Sequence, residues 1–168
     1  NNTTSPKETH YEMLKKLELP YEEHLKLKKY CEKIGITFLS TPYDIESANF
    51  LLKLNVDYFK TASADLVDIP LQRLIAKTKK PTIISVGMSS LDEVRRTINI
   101  YNNEGNTDTV LLHCVSNYPC SDKSINLNVM KTLQKTFMVP VGYSDHSIGN
   151  EASISSVALG ACVIEKHF

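Results

Sequence analysis

Val141–Phe168 reads VGYSDHSIGNEASISSVALGACVIEKHF. Two short apolar runs flank a stretch of small residues with helical spacing, and each run leads directly into a polar group containing a histidine. A strand, a helix and a second strand in that order form one repeat of a parallel sheet, with His146 and His167 at matching strand ends. Gly160 supplies the stop between the helix and the second strand.

The same unit recurs upstream. ITFLS (Ile36–Ser40), DYFKT (Asp57–Thr61), TIISV (Thr82–Val86), TVLLHC (Thr109–Cys114) and MVPVGY (Met138–Tyr143) read as strands, and CVIEK (Cys162–Lys166) is the sixth. Helical patterns lie between and before them. Leu27, Tyr30, Cys31 and Ile34 form an i, i+3, i+4, i+7 stripe that Gly35 ends. SLDEV carries a capping box, Ser90 with Glu93, and Leu91, Val94 and Ile98 follow on one face. This alternation suits either an open doubly wound sheet or a closed eight-stranded barrel.

Polar strand ends separate the two. STPYD, KTASAD, SVGMSS, HCVSNYP, YSDHS and EKHF each follow a strand with hydroxyl, charged or imidazole groups. An open sheet gathers its chemistry at one switch point, whereas a barrel collects it from nearly every strand end on one face. Six decorated ends predict an α/β fold of the (β/α)8 TIM-barrel class. A complete barrel takes roughly 250 residues. Residues 1–168 are therefore expected to form a partial barrel domain, inactive by itself.

A formal net charge of zero argues against nucleic acid and anionic membranes as partners. No apolar run approaches the roughly 20 residues of a membrane helix. The start, NNTTSPKETH, lacks the ordered zones of a secretory signal, so its NNTT sequon carries no weight. Cys31, Cys114, Cys120 and Cys162 form no CxxC pair and read as reduced, three of them as core residues of a cytoplasmic protein.

The common phosphate loops, the GxSxG elbow and HExxH are all absent. His113 reads as structural, without an evident partner, and His10 and His24 as solvated. His146 and His167, on neighbouring strand ends, read either as a pair of metal ligands or as hydrogen-bonding groups. No third histidine or cysteine is near enough for a closed zinc site, so an open site with oxygen ligands suits manganese or magnesium. Period 2 puts Glu165 on the side of His167, one step deeper, to orient metal-bound water or to form a buried salt bridge. Lys60 reads as a Schiff-base nucleophile, a phosphate clamp or an ion pair with Asp65. The strand-end hydroxyls of Thr41, Ser63, Ser85 and Ser116 favour the clamp, because a phosphate needs many donors.

FLSTPYD, FKTASADLVDIPL, PTIISVGMSSLDEV, LLHCVSNYP, GYSDHSIG and ALGACVIEKHF together resemble the sialic acid synthase family, in the same order and through nearly the whole chain. That family, which includes synthases of N-acetylneuraminate, legionaminate and pseudaminate, has a (β/α)8 barrel followed by an antifreeze-like domain. It condenses phosphoenolpyruvate with an N-acetylated sugar aldehyde such as N-acetylmannosamine, forming a nonulosonic acid and releasing phosphate. The resemblance implies that His146 and His167 bind a divalent metal, Mn2+ or Mg2+. It implies that Lys60, Thr41, Ser63, Ser85, Ser116 and Tyr118 hold phosphoenolpyruvate, with Asn117 sharing the phosphate segment. Asp65 stands where many relatives have a glutamate that contacts the sugar. The six strands would be the third to eighth of the barrel, with the first two strands and the antifreeze-like domain absent. The complete protein would be a cytoplasmic homodimer.

Overall fold

The computed structural model describes residues 9–167 and divides into two compact units, one running up to Phe38 and one from Leu39 on. The NNTT sequon and the side chain of His10 lie outside the described residues. The first unit holds α1 (His10–Leu17) and α2 (Tyr21–Ile34). Thr9 and Glu12 cap α1 reciprocally. Gly35 ends α2 in the left-handed region, φ 77°, as its place in the sequence predicts. The stripe of Leu27, Tyr30, Cys31 and Ile34 does not become core, because α2 has no buried residue. Two short helices carry too little apolar surface to cover it. His24 is half-buried rather than solvated: Nδ1 lies 3.2 Å from Pro20 O, and Tyr21 and Phe38 meet its ring edge-on.

The second unit opens with α3 (Ile45–Lys53) and then alternates: β1 (Phe59–Thr61), α4 (Ile69–Lys77), β2 (Thr82–Ser85), α5 (Leu91–Asn103), β3 (Thr109–Cys114), α6 (Asn128–Phe137), β4 (Val141–Asp145), α7 (Glu151–Ala158) and β5 (Ile164–Lys166). The strands are all parallel and stand in chain order. The sheet therefore has five strands where the sequence predicts six. Among the described residues Ile36–Ser40 joins no ladder, and the backbone bond from Ile36 N–H to Cys31 O at 3.0 Å closes α2. An apolar run records which side chains seek burial, but a strand also needs a neighbour to exchange backbone hydrogen bonds, and the described residues offer this segment none.

The curvature of the sheet is measured by one contact. Lys60 on β1 and Glu165 on β5, the two edge strands, form an ion pair at 3.4 Å. At ~4.8 Å per strand, a flat five-stranded sheet would hold those edges about 19 Å apart, which two side chains cannot bridge. The sheet is curled into an arc of barrel type, with Lys60 and Glu165 reaching across its hollow side.

Register and period 2 then sort the side chains. Thr61, Ile84, Leu111 and Val141 are successive ladder partners facing the helices, and all are buried. Leu71 and Ile75 of α4, Val94, Ile98 and Tyr101 of α5, and Met130 and Leu133 of α6 are buried as well. The Ser90–Glu93 capping box starts α5 in both directions, with Ser90 N–H to Glu93 Oε2 at 2.7 Å and Glu93 N–H to Ser90 Oγ at 3.3 Å. On the hollow side the rows run Ser85–Leu112–Gly142 and, two residues on, Cys114–Ser144–Glu165. A Cβ on Gly142 would overlap Val163 O and sit 2.6 Å from Leu112 Cδ2, so only glycine fits there. Of the four free cysteines, Cys114 and Cys120 are buried, Cys31 is half-buried and Cys162 is exposed. Two of them, not three, are core. No helix among the described residues is long and apolar enough to cross a membrane.

Candidate active site

The polar residues gather on the hollow side, at the C-terminal ends of the strands. The last ladder pair between β4 and β5 is Asp145 with Lys166, and the next residues inward are His146 and His167. Their ring centroids lie 5.3 Å apart at 52°. His146 Nδ1 is 2.6 Å from Val115 O and donates its proton there, which leaves Nε2 with its lone pair. Ser144 Oγ approaches that Nε2 to 3.2 Å. The Tyr118 ring lies against both, tilted over His146 with centroids 4.0 Å apart and edge-on to His167 at 5.4 Å. This tautomer and this juxtaposition fit a divalent ion that takes nitrogen from the two imidazoles and oxygen elsewhere. Among the described residues no group of three or more His, Cys, Asp or Glu that could hold a metal ion forms.

One step deeper lies the Lys60–Glu165 pair. Lys60 is buried and also donates to Thr61 O at 3.1 Å. Its carboxylate partner is thus Glu165 and not Asp65, which corrects one of the three readings of Lys60. Asp65 nevertheless faces the same space. Burial pushes its carboxyl up and nearby Asp68 adds to this, while Lys60 opposes both. Its Oδ2 is buried and has no hydrogen-bond partner among the described residues.

Beside the lysine the hydroxyls form a tight cradle. Gly87 N–H donates to Ser63 Oγ at 2.9 Å, and Ser63 Oγ lies 3.1 Å from Cys114 Sγ. A Cβ on Gly87 would stand 2.8 Å from Cys114 Sγ, 2.9 Å from Ser116 Oγ and 3.0 Å from Ser63 Oγ. Ser85 ends β2, buried on the same side. Thr41 is half-buried and, among the described residues, makes no hydrogen bond to this group; Asn117 is exposed beyond Ser116. The loop bearing Ser63 and Asp65 is held from behind. Gln72 Nε2 donates to Asp65 O at 2.8 Å and Thr97 Oγ1 to Leu66 O at 2.8 Å, while Tyr101 O–H donates to Gln72 Oε1 at 2.9 Å.

Several members were not singled out in the sequence. Ser144 and Cys114 share the Glu165 row, and counting back by two from His146 reaches Ser144. Tyr43, from the turn before α3, belongs to the same field: burial pushes its phenol up, and the carboxylates of Asp65 and Glu165 push it further. Behind the histidines, on the helix side, burial alone would raise the Asp145 carboxyl. Donors from Lys166, Ser147 and Ser153 override that and hold it well below the usual range. His113 is structural as expected, but it has a partner, with Nε2 2.6 Å from Ile125 O and its ring against Tyr143.

Comparison with known proteins bears on this arrangement. A family model described as the NeuB family matches residues 1–168. The chain is 51% identical over 164 residues to an uncharacterized protein of Methanocaldococcus jannaschii, covering 98% of this chain and 49% of the relative. It is 44% identical over 171 residues to the N,N'-diacetyllegionaminic acid synthase of Legionella pneumophila, covering 99% and 48%. The N-acetylneuraminic acid synthetase of Leptospira borgpetersenii, solved with citrate, superposes with a TM-score of 0.86 at 37% identity over 90% of this chain and 53% of that one. The chain spans about half the length of the relatives it matches.

Proposed function

The chain belongs to the NeuB family, and on that premise we propose that the intact protein condenses phosphoenolpyruvate with an N-acetylated sugar aldehyde. Carbon 3 of phosphoenolpyruvate attacks the aldehyde carbon, water adds at carbon 2, and the resulting hemiketal phosphate collapses with loss of inorganic phosphate. The observation that carries this reading is the stacking of two chemistries on one hollow face. A neighbouring pair of imidazoles follows the Lys60–Glu165 pair along the hollow side, which also carries a hydroxyl-lined cradle.

The residues divide the work by depth. Lys60, with Ser63, Ser85 and Ser116, supplies the cationic charge and donors that an anionic phosphate and carboxylate need. Thr41 and Asn117 belong to the same assignment. Lys60 donates to a backbone carbonyl and faces the Glu165 carboxylate, contacts that support electrostatic clamping over Schiff-base chemistry. Glu165, paired with Lys60 and two residues before His167, would orient the water that adds at carbon 2. The unpartnered Oδ2 of Asp65 supports a contact to a sugar hydroxyl. Tyr118 forms an aromatic wall against both imidazoles. A divalent ion held by His146 and His167, Mn2+ or Mg2+, would polarise the aldehyde oxygen as a Lewis acid. A homodimer in the cytoplasm completes the proposal.

Sugar-dependent phosphate release from phosphoenolpyruvate by the intact protein is the test. Lys60→Arg should keep part of the phosphoenolpyruvate affinity and Lys60→Met should lose it. A pyruvyl adduct on Lys60, trapped by borohydride and seen by mass spectrometry, would overturn the assignment.

A further inference from the structure

The ladder between β4 and β5 stops at Asp145 with Lys166, so His146 and His167 both stand beyond the last pair that backbone hydrogen bonds hold in register. His146 is fixed by its bond to Val115 O. Among the described residues, His167 has ring contacts but no hydrogen bond, so its place depends on the residue before it. That residue is Lys166, and it points to the other side of the sheet.

There a buried carboxylate ties three elements together. Asp145 Oδ1 accepts from Ser147 N–H at 2.9 Å and Ser147 O–H at 2.7 Å. Its Oδ2 accepts from Ser153 O–H on α7 at 2.6 Å and from Lys166 Nζ at 2.8 Å. Lys166 Nζ donates again to Ser147 O at 2.8 Å. The segment after His146, the helix behind it and the strand carrying His167 therefore converge on one group. An ion pair needed only to join β4 to β5 would serve at any register. This one sits where the ladder ends, and each partner directly precedes a histidine.

We propose that Asp145 and Lys166 are positioning residues that set the separation and tilt of His146 and His167 for metal binding. The inference rests on the metal reading given under Proposed function. Outer groups that orient ligands typically change metal affinity by about 10–100-fold when lost. A pair serving stability alone would leave that affinity unchanged.

The test uses the intact protein, with Mn2+ affinity read from the paramagnetic resonance signal of the unbound ion. Histidine nitrogens on the bound ion are counted by spin-echo modulation. Asp145→Asn combined with Lys166→Met removes both charges and leaves neither one buried alone. It is expected to weaken Mn2+ binding about 10–100-fold and to lose one histidine nitrogen. Lys166→Arg, which keeps the ion pair, should retain both nitrogens. Should the double variant fail to fold, Ser153→Ala decides, since it removes one donor from Asp145; its Mn2+ affinity should fall severalfold. Wild-type affinity and two nitrogens in the double variant, or unchanged affinity in Ser153→Ala, would overturn the positioning role alone. A wild-type protein with no histidine nitrogen on the ion would overturn the metal reading itself, and this inference with it.

Discussion

The two faces of one five-stranded sheet obey different rules although the same strands build both. The helix side is apolar across its middle; its ionisable groups, His113 and Asp145, have partners within the fold, and the buried hydroxyl of Thr61 has none among the described residues. The hollow side changes along the strands, from Leu112 and Gly142 through Cys114, Ser144 and Glu165 to the two histidines. Here a buried oxygen such as Oδ2 of Asp65 is left without a partner among the described residues. A face that pairs its ionisable groups is finished as a structure. One that leaves a buried carboxylate oxygen unpartnered beside a hollow has capacity left for a ligand.

Substitutions can break that contrast, and the largest effect should come from the rim. His146→Ala or His167→Ala in the intact protein should cut turnover by about a thousandfold or more, since a Lewis acid contributes several kcal/mol. The melting temperature should hardly move. Near-normal, chelator-sensitive turnover in either variant would show the two faces to be functionally alike. Next is the opposite face. Leu111→Ala, at a fully buried ladder position, should cost about 2–5 kcal/mol in denaturant unfolding and leave turnover per folded molecule unchanged.

A third effect is linked to pH. Burial holds the His113 imidazole below its ordinary range, and the bond to Ile125 O only partly offsets this. The unfolded chain therefore binds this proton more readily than the folded one. The stability that neutral His113 confers is complete above the unfolded value, near 6.5, and declines as pH falls toward the lowered folded value. His113→Gln should flatten that part of the stability profile in acid. An unchanged slope would remove His113 as its source. The smallest effect lies away from both faces. Ser90→Ala, which deletes the cap of α5, should cost about 1 kcal/mol with no change in turnover.

The parts readable in the sequence are those set by local repetition. Strand TVLLHC matches β3 residue for residue, and the Ser90 and Gly35 signals mark the helix ends where they stand. Pairing His146 with His167 needed only strand ends and period 2. What was not readable depends on distance through space. Ile36–Ser40 has a strand's composition but no ladder partner among the described residues. The partner of Lys60 is Glu165, 105 positions away, and not the nearby Asp65, because curvature of the whole sheet brings the edges together. The cradle around Gly87 was missed because glycine advertises itself by what it lacks, and only the positions of Ser63, Cys114 and Ser116 show why a side chain is excluded there.

The buried contacts behind the Ser63–Asp65 turn have a consequence for motion. Gln72, Thr97 and Tyr101 lie on α4 and α5, yet they hold the backbone of Asp65 and Leu66. A surface turn normally opens by itself, at little free-energy cost, whereas amides in a packed helical pair exchange only when a larger cooperative unit opens. The amides of Leu66 and Asp68, bonded to Ser63 O and Asp65 O, should thus exchange with deuterium at the slow pace of α4 and α5. The turn that carries two proposed ligand contacts is dynamically a part of the helical layer, and its stiffness is inherited from side chains no ligand would touch.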